Sequence, residues 1–235
     1  MTPLTLAIHG ALGLVLAVAV ILLASGITAL IIMTEDQTAD DVQLTRQQLY
    51  DAVAAAPGLA LALGLASLAV TLLLLGNLDI RPGALLLLAF SQLLLCLAYI
   101  DQRTRLLPDA LTLPGVWVGL LVQLHPDLRT IGAEQAIAGA ALGYLLPWSA
   151  GAAYVLLGRQ APIGGGDLKL SAMLGAWLGS DVVLLVWLLA PLFLLCACLP
   201  GLALGRIKLG QSLPFGPWLA MAGLALVGLK YVATF

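Results

Sequence analysis

Charge is what this sequence has least of. Of its 235 residues only 9% are charged, against 62% hydrophobic, where soluble domains carry about 25% charged and about 45–50% apolar residues. No soluble interior of this size hides so much apolar surface, so lipid is the solvent the composition implies. The first 33 residues contain no Lys, Arg, Asp or Glu. That stretch exceeds the roughly 7–15 apolar residues of a signal peptide and lacks its cationic start, so it reads as a retained anchor. Basic excess is also missing: the net charge of −2 leaves no patch to neutralise phosphates and excludes a nucleic-acid partner. Cys96, Cys196 and Cys198 all fall in apolar stretches and form no CxxC pair, which excludes a zinc site or a disulfide framework of the usual spacing. They read as small buried side chains. His9 and His125 are isolated, so no metal cluster is expected.

What is present is a series of apolar runs. A membrane helix needs about 20 such residues, and the runs 7–33, 54–76, 83–100, 134–157, 182–204 and 215–235 qualify. Two more, 110–125 and 168–180, are short, as tilted, re-entrant or bundle-buried segments often are. The expected fold is an all-α, polytopic transmembrane bundle of about eight segments. Lys and Arg are retained in cytoplasmic loops. With the N-terminus outside, that side holds Arg46, Arg103, Arg105, Arg159, Lys169, Arg206 and Lys208, against Arg81, Arg129 and Lys230 opposite. The loops 101–109, 158–167 and 205–213 then face the cytoplasm. The polar stretch 34–52, with five acids and one Arg, is a solvated connector whose second half has one apolar helical face.

Ionisable groups near a bilayer are costly and mark candidate sites. Glu35, Asp36, Asp40, Asp41 and Asp51 belong to the connector, and Asp79, Asp127, Glu134 and Asp181 to the outer side. Asp101, Asp109 and Asp167 remain, all on the cytoplasmic face. Asp101 ends the run LLLCLAYID, and Asp167 closes IGGGDLKL at a helix start, where the dipole favours its charged form. The glycines permit positive φ or close backbone approach. Two carboxylates brought together share a proton. One can then deprotonate water while the other polarises a carbonyl. On residue chemistry alone, Asp101 could equally be a helix-end charge beside Arg103 or Arg105, and Asp167 a solvated turn acid. Asp109, after Pro108, reads as an N-cap, and Lys169 as either a snorkelling residue or a site group.

The stretches YIDQRTRLLPDALTLPG, GGGDLKLSAMLGAWLG and PFGPWLAMAG resemble, in that order, the motifs of the type IV prepilin peptidases, GxGD-type membrane aspartyl proteases. The likeness runs from residue 83 to the C-terminus. It divides the chain into N-terminal membrane helices with their connector (1–82) and a GxGD peptidase domain (83–235). It implies Asp101 and Asp167 as the catalytic pair, Gly164 and Gly166 as loop-shaping residues, and Lys169 and Asp109 as site-shaping or substrate-binding groups. It further implies removal of the basic leader from type IV prepilins or type II secretion pseudopilins, at the cytoplasmic face of the bacterial inner membrane. Pro214, Phe215, Gly216 and Pro217 match a family turn before the last helix. Many family members carry paired CxxC motifs between their first two spans, linked to N-methylation; the cysteine-free connector stands there instead. A peptidase-only form is expected, needing no cofactor, zinc or S-adenosylmethionine. The competing readings are a proton-coupled transporter, which usually shows repeated halves that this sequence lacks, and an inactive scaffold of a pilus or secretion machine.

Overall fold

The computed structural model describes residues 11–13, 15–16, 18–20, 57–75, 82–159, 163–203 and 213–234. The connector 34–52, most of the run 7–33 and most of the loop 205–213 lie outside the described residues. Every regular element described is an α-helix, as the all-α expectation requires. Contacts divide the chain into two compact units, Met1–Leu106 and Leu107–Phe235.

The first unit contains α1 (Pro57–Leu75) and α2 (Pro82–Thr104). Both open on proline, whose missing N–H costs nothing in the first turn. Because hydrocarbon offers no partners, polar side chains in these helices bond inward. The Ser67 hydroxyl donates to Gln92 Oε1 at 2.6 Å, and Thr71 and Ser91 donate to the carbonyls of Ser67 and Leu87, four residues back. Helical residues near the N-terminus pack on α1 at Gly13, where a Cβ would sit 2.7 Å from Leu68 Cδ1.

The second unit holds α3 (Asp109–Val122), α4 (Ala133–Leu156), α5 (Gly165–Leu178), α6 (Ser180–Ala203) and α7 (Gly216–Thr234). The 14-residue α5, about 21 Å long, touches the other four helices, and every residue from Leu170 to Leu178 is buried. The run 168–180 is thus a bundle-buried segment. By contrast, the equally short α3 leaves Leu113, Trp117 and Leu121 exposed. Among the described residues three helices are long and apolar enough to cross a membrane: Pro82–Thr104, Ala133–Leu156 and Ser180–Pro200.

The tightest packing is between α4 and α5. A Cβ added to Gly139 would overlap the carbonyl oxygen of Gly175, and one added to Gly143 would overlap that of Ser171; the clash at Gly175 against Gly139 is reciprocal. Helices in lipid associate through such small-residue stripes, because backbones must approach closely to gain dispersion contacts. In the sequence the crossing corresponds to the Gly139–Gly143 spacing, a GxxxG pattern. On the other side of α5, Trp177 lies against Gly119 and donates its indole N–H to the Gly115 carbonyl at 2.9 Å. At the far end, Lys230 donates to the Leu178 carbonyl at 2.5 Å and pairs with Asp181 at 3.3 Å. A cation is favourable there, where the last carbonyls of a helix lack partners.

Gly175→Val should therefore cost about 1–3 kcal/mol through overpacking, lowering the thermal unfolding midpoint in detergent by several degrees. Gly132→Ala, where nothing lies within 4 Å of a new Cβ, should stay within about 0.5 kcal/mol.

Candidate active site

Asp101 lies in the last turn of α2 and is only 5% exposed. Its carbonyl accepts the Arg105 N–H at 2.8 Å. Arg105 adopts φ 56°, the left-handed conformation that ends a helix sharply, at a cost of roughly 1–2 kcal/mol for a residue with a Cβ. The Thr104 hydroxyl donates back to the Ile100 carbonyl at 2.9 Å and accepts the Leu106 N–H at 3.2 Å. The backbone on both sides of the end of α2 is therefore tied down within one turn of Asp101.

Asp167 is half-buried and is the third residue of α5. Gly164 occupies the N-cap position, with φ −72° and ψ 148°, so the Gly-rich run is partly loop and partly first helical turn. Neither Gly164 nor Gly166 has a positive φ; among the described glycines only Gly158 and Gly179 do. Close approach is the reason for glycine at 166, where a Cβ would fall 2.9 Å from Leu107 Cβ. Gly164 lies beside the acid itself, since a Cβ there would sit 3.4 Å from Asp167 Oδ2. The first-turn position places the Asp167 carboxylate where a helix favours negative charge.

Asp109 and Lys169 are brought together. The Lys169 ammonium donates to Asp109 Oδ1 at 2.5 Å across 60 residues, joining the first turns of α3 and α5. This corrects the N-cap reading of Asp109: Pro108 is the N-cap and Asp109 the first helical residue, with no side-chain cap bond. Lys169 is accordingly an ion-pair partner and not a residue reaching alone towards headgroups. Asp109 and Lys169 lie at the start of α5 and Asp181 and Lys230 at its other end, so α5 separates two groups that loop charge assigned to opposite sides. His125 pairs only locally, with Asp127 at 4.0 Å. Among the described residues no group of three or more His, Cys, Asp or Glu has the arrangement of a metal site. Of the Pro214–Pro217 turn, Phe215 stacks on Trp187 at 5.7 Å between ring centroids, and Trp187 donates to the Ser171 hydroxyl at 2.8 Å. The turn thereby contacts α6, and through Trp187 is linked to α5.

The two partners of the Lys169–Asp109 pair have side chains 28% and 58% exposed, so water screens it. A double-mutant cycle with Lys169→Met and Asp109→Asn should return a coupling of about 0.2–1 kcal/mol in unfolding experiments. A coupling well above that range would mean the pair is shielded in the bilayer.

Comparison with known proteins agrees with these motifs. The family described as type IV leader peptidase matches residues 88–206. A prepilin leader peptidase/N-methyltransferase of Dickeya chrysanthemi is 44% identical over 153 residues, 64% of this chain and 53% of that protein. Proteins of the same name from Stutzerimonas stutzeri and Pseudomonas aeruginosa are 39% and 40% identical over 150 residues, 61% of this chain and 48% of each. The chain thus spans about half the length of the curated relatives it matches. No solved structure matches it. With a match across half its length, taking in both motif acids, the chain belongs to the type IV leader peptidase family.

Proposed function

We propose that this protein is an aspartyl endopeptidase that removes the leader from type IV prepilins or type II secretion pseudopilins. The observation that carries the reading is family membership over a segment that includes both acids, Asp101 and Asp167. Two features support it. Each acid sits at a helix end whose backbone is held by bonds or close packing, as a positioned catalytic group requires. The helices presenting them are apolar, as access to a membrane-anchored substrate requires.

In this reading residues 83–235 form the peptidase segment, about eight helices span the inner membrane, and the acids work at its cytoplasmic face. The ionised member of the pair accepts a proton from water, and that water's oxygen attacks the scissile carbonyl carbon. The protonated member gives its proton to the carbonyl oxygen. Collapse of the gem-diol breaks the C–N bond: one of its hydroxyls returns a proton to the ionised member as the amine takes one from the protonated member, and the shared-proton state returns. The titration belongs to the pair and not to either acid. Gly164 and Gly166 leave room at the start of α5, and the Asp109–Lys169 pair steadies it. Acidic groups at that face attract a basic leader. Peptidase activity without N-methylation, and with no cofactor, remains our reading of the cysteine-free connector.

The test is leader removal from a prepilin by membranes holding each variant at equal expression. Asp101→Ala and Asp167→Ala should each lose at least about 10²-fold in rate. Asp109→Ala should lose less than about tenfold, because the exposed pair it breaks is worth about 1 kcal/mol or less. Normal processing by Asp167→Asn would remove the assignment.

A further inference from the structure

The glycine stripe of α4 is longer than the helix it packs on. Gly139 meets Gly175 and Gly143 meets Ser171, so each step of four along α4 moves four residues back along α5. Continuing that register sets Pro147 level with the Asp167–Leu168 step, and Gly151 beyond the start of α5, level with Ile163. Gly151 is buried, on the same face as Gly139, Gly143 and Pro147. Yet a Cβ added to it would meet no described atom within 4 Å, where the two earlier glycines would clash with backbone.

The space beside Gly151 is a cavity of about 200 Å³, its lining including Pro147, Trp148, Val155, Ile163 and Leu168. The lining residues are of apolar type, with some polar atoms exposed among them, and Leu168 follows Asp167 directly in the first turns of α5. Trp148 and Val155 are both 51% exposed, so the cavity's wall belongs to the apolar outer surface of α4. An apolar cavity of about 150 Å³ holds a benzene-sized group, so this one takes a single large apolar side chain and is too small for the length of a lipid tail.

Building on the peptidase reading, we propose that this groove receives an apolar side chain of the substrate polypeptide close to the scissile bond. The stripe that holds α5 against α4 is continuous with it, so an occupant would pack on α4 as α5 does one turn further along. Its occupant enters from the lipid side of α4 and reaches the cavity within one residue of Asp167. The groove would then set which side chains near the cleavage point are accepted, and anchor the unwound backbone beside the carboxylate.

The test compares two prepilins that differ only in the apolar residues flanking the scissile bond, leucine-sized in one and alanine in the other. Gly151→Leu fills the cavity. It should raise KM at least tenfold for the first substrate, change kcat little, and abolish the preference between the two. Ala150→Leu, an addition only one carbon smaller at an exposed α4 position outside the cavity, should leave both parameters unchanged. A second readout does not depend on the folding of Gly151→Leu. A benzophenone side chain in place of Val155, in an Asp167→Asn background, should form a covalent adduct with intact prepilin. An unchanged KM for Gly151→Leu, an equal rise for both substrates, or an adduct with lipid alone overturns the groove assignment while wild-type cleavage leaves the peptidase reading standing. Failure of the wild type to cleave either prepilin removes both.

Discussion

Backbone-to-backbone contact between α4 and α5 is the constraint on which the second unit depends. Gly139 and Gly175 face each other with no room for a methyl group on either, and Gly143 faces Ser171 in the same way. In water, apolar side chains would drive such helices together; in lipid they gain little by leaving the tails, so close approach has to supply the attraction. Glycine makes that approach possible and fixes the register, because a slip of one residue would place a side chain on the opposing carbonyl. The position of Asp167 along the helix is therefore set about one and about two turns away, at the Gly143–Ser171 and Gly139–Gly175 contacts.

Polar contacts also hold α5 against rotation and sliding. Lys169 ties its first turn to Asp109 of α3, Trp177 reaches the Gly115 carbonyl, and Lys230 meets the terminal Leu178 carbonyl. They fall near the beginning and the end of the helix and on two neighbouring elements. Two of them also satisfy a group that would be costly to leave alone at membrane depth: an indole N–H and a helix-end carbonyl. The same logic operates in the first unit, where Ser67, Thr71 and Ser91 all find acceptors within α1 and α2.

Much of the fold was legible because apolar run length reports directly on lipid burial. The runs 54–76, 83–100, 134–157 and 215–235 became helices with ends within four residues of those expected. The run 168–180 became the buried central helix, but shortness alone did not mark it, since the equally short α3 keeps an exposed face. Local detail at the site was less legible. Asp109 follows a proline that is itself the N-cap, and propensity does not say which of two adjacent residues turns the chain. Lys169 read equally as a snorkelling residue or a site group because its partner lies 60 residues away, and sequence without contacts cannot pair them. The glycines before Asp167 suggested positive φ or close approach, and at Gly166 the reason is close approach, to Leu107. Chemical roles of Asp101 and Asp167 came from motif resemblance, since an acid at a helix end has several ordinary uses.

We propose that Asp101 and Asp167 act as one proton-sharing unit on a peptide bond. The most direct measurement is the pH dependence of kcat/KM for leader removal by the wild-type protein in membranes, at a substrate concentration well below KM. Only the singly protonated pair is competent, so the rate should rise and then fall about one optimum, with both limbs set by the pair. A rate that climbs with pH to a plateau, as a single base would give, would contradict the shared-proton pair.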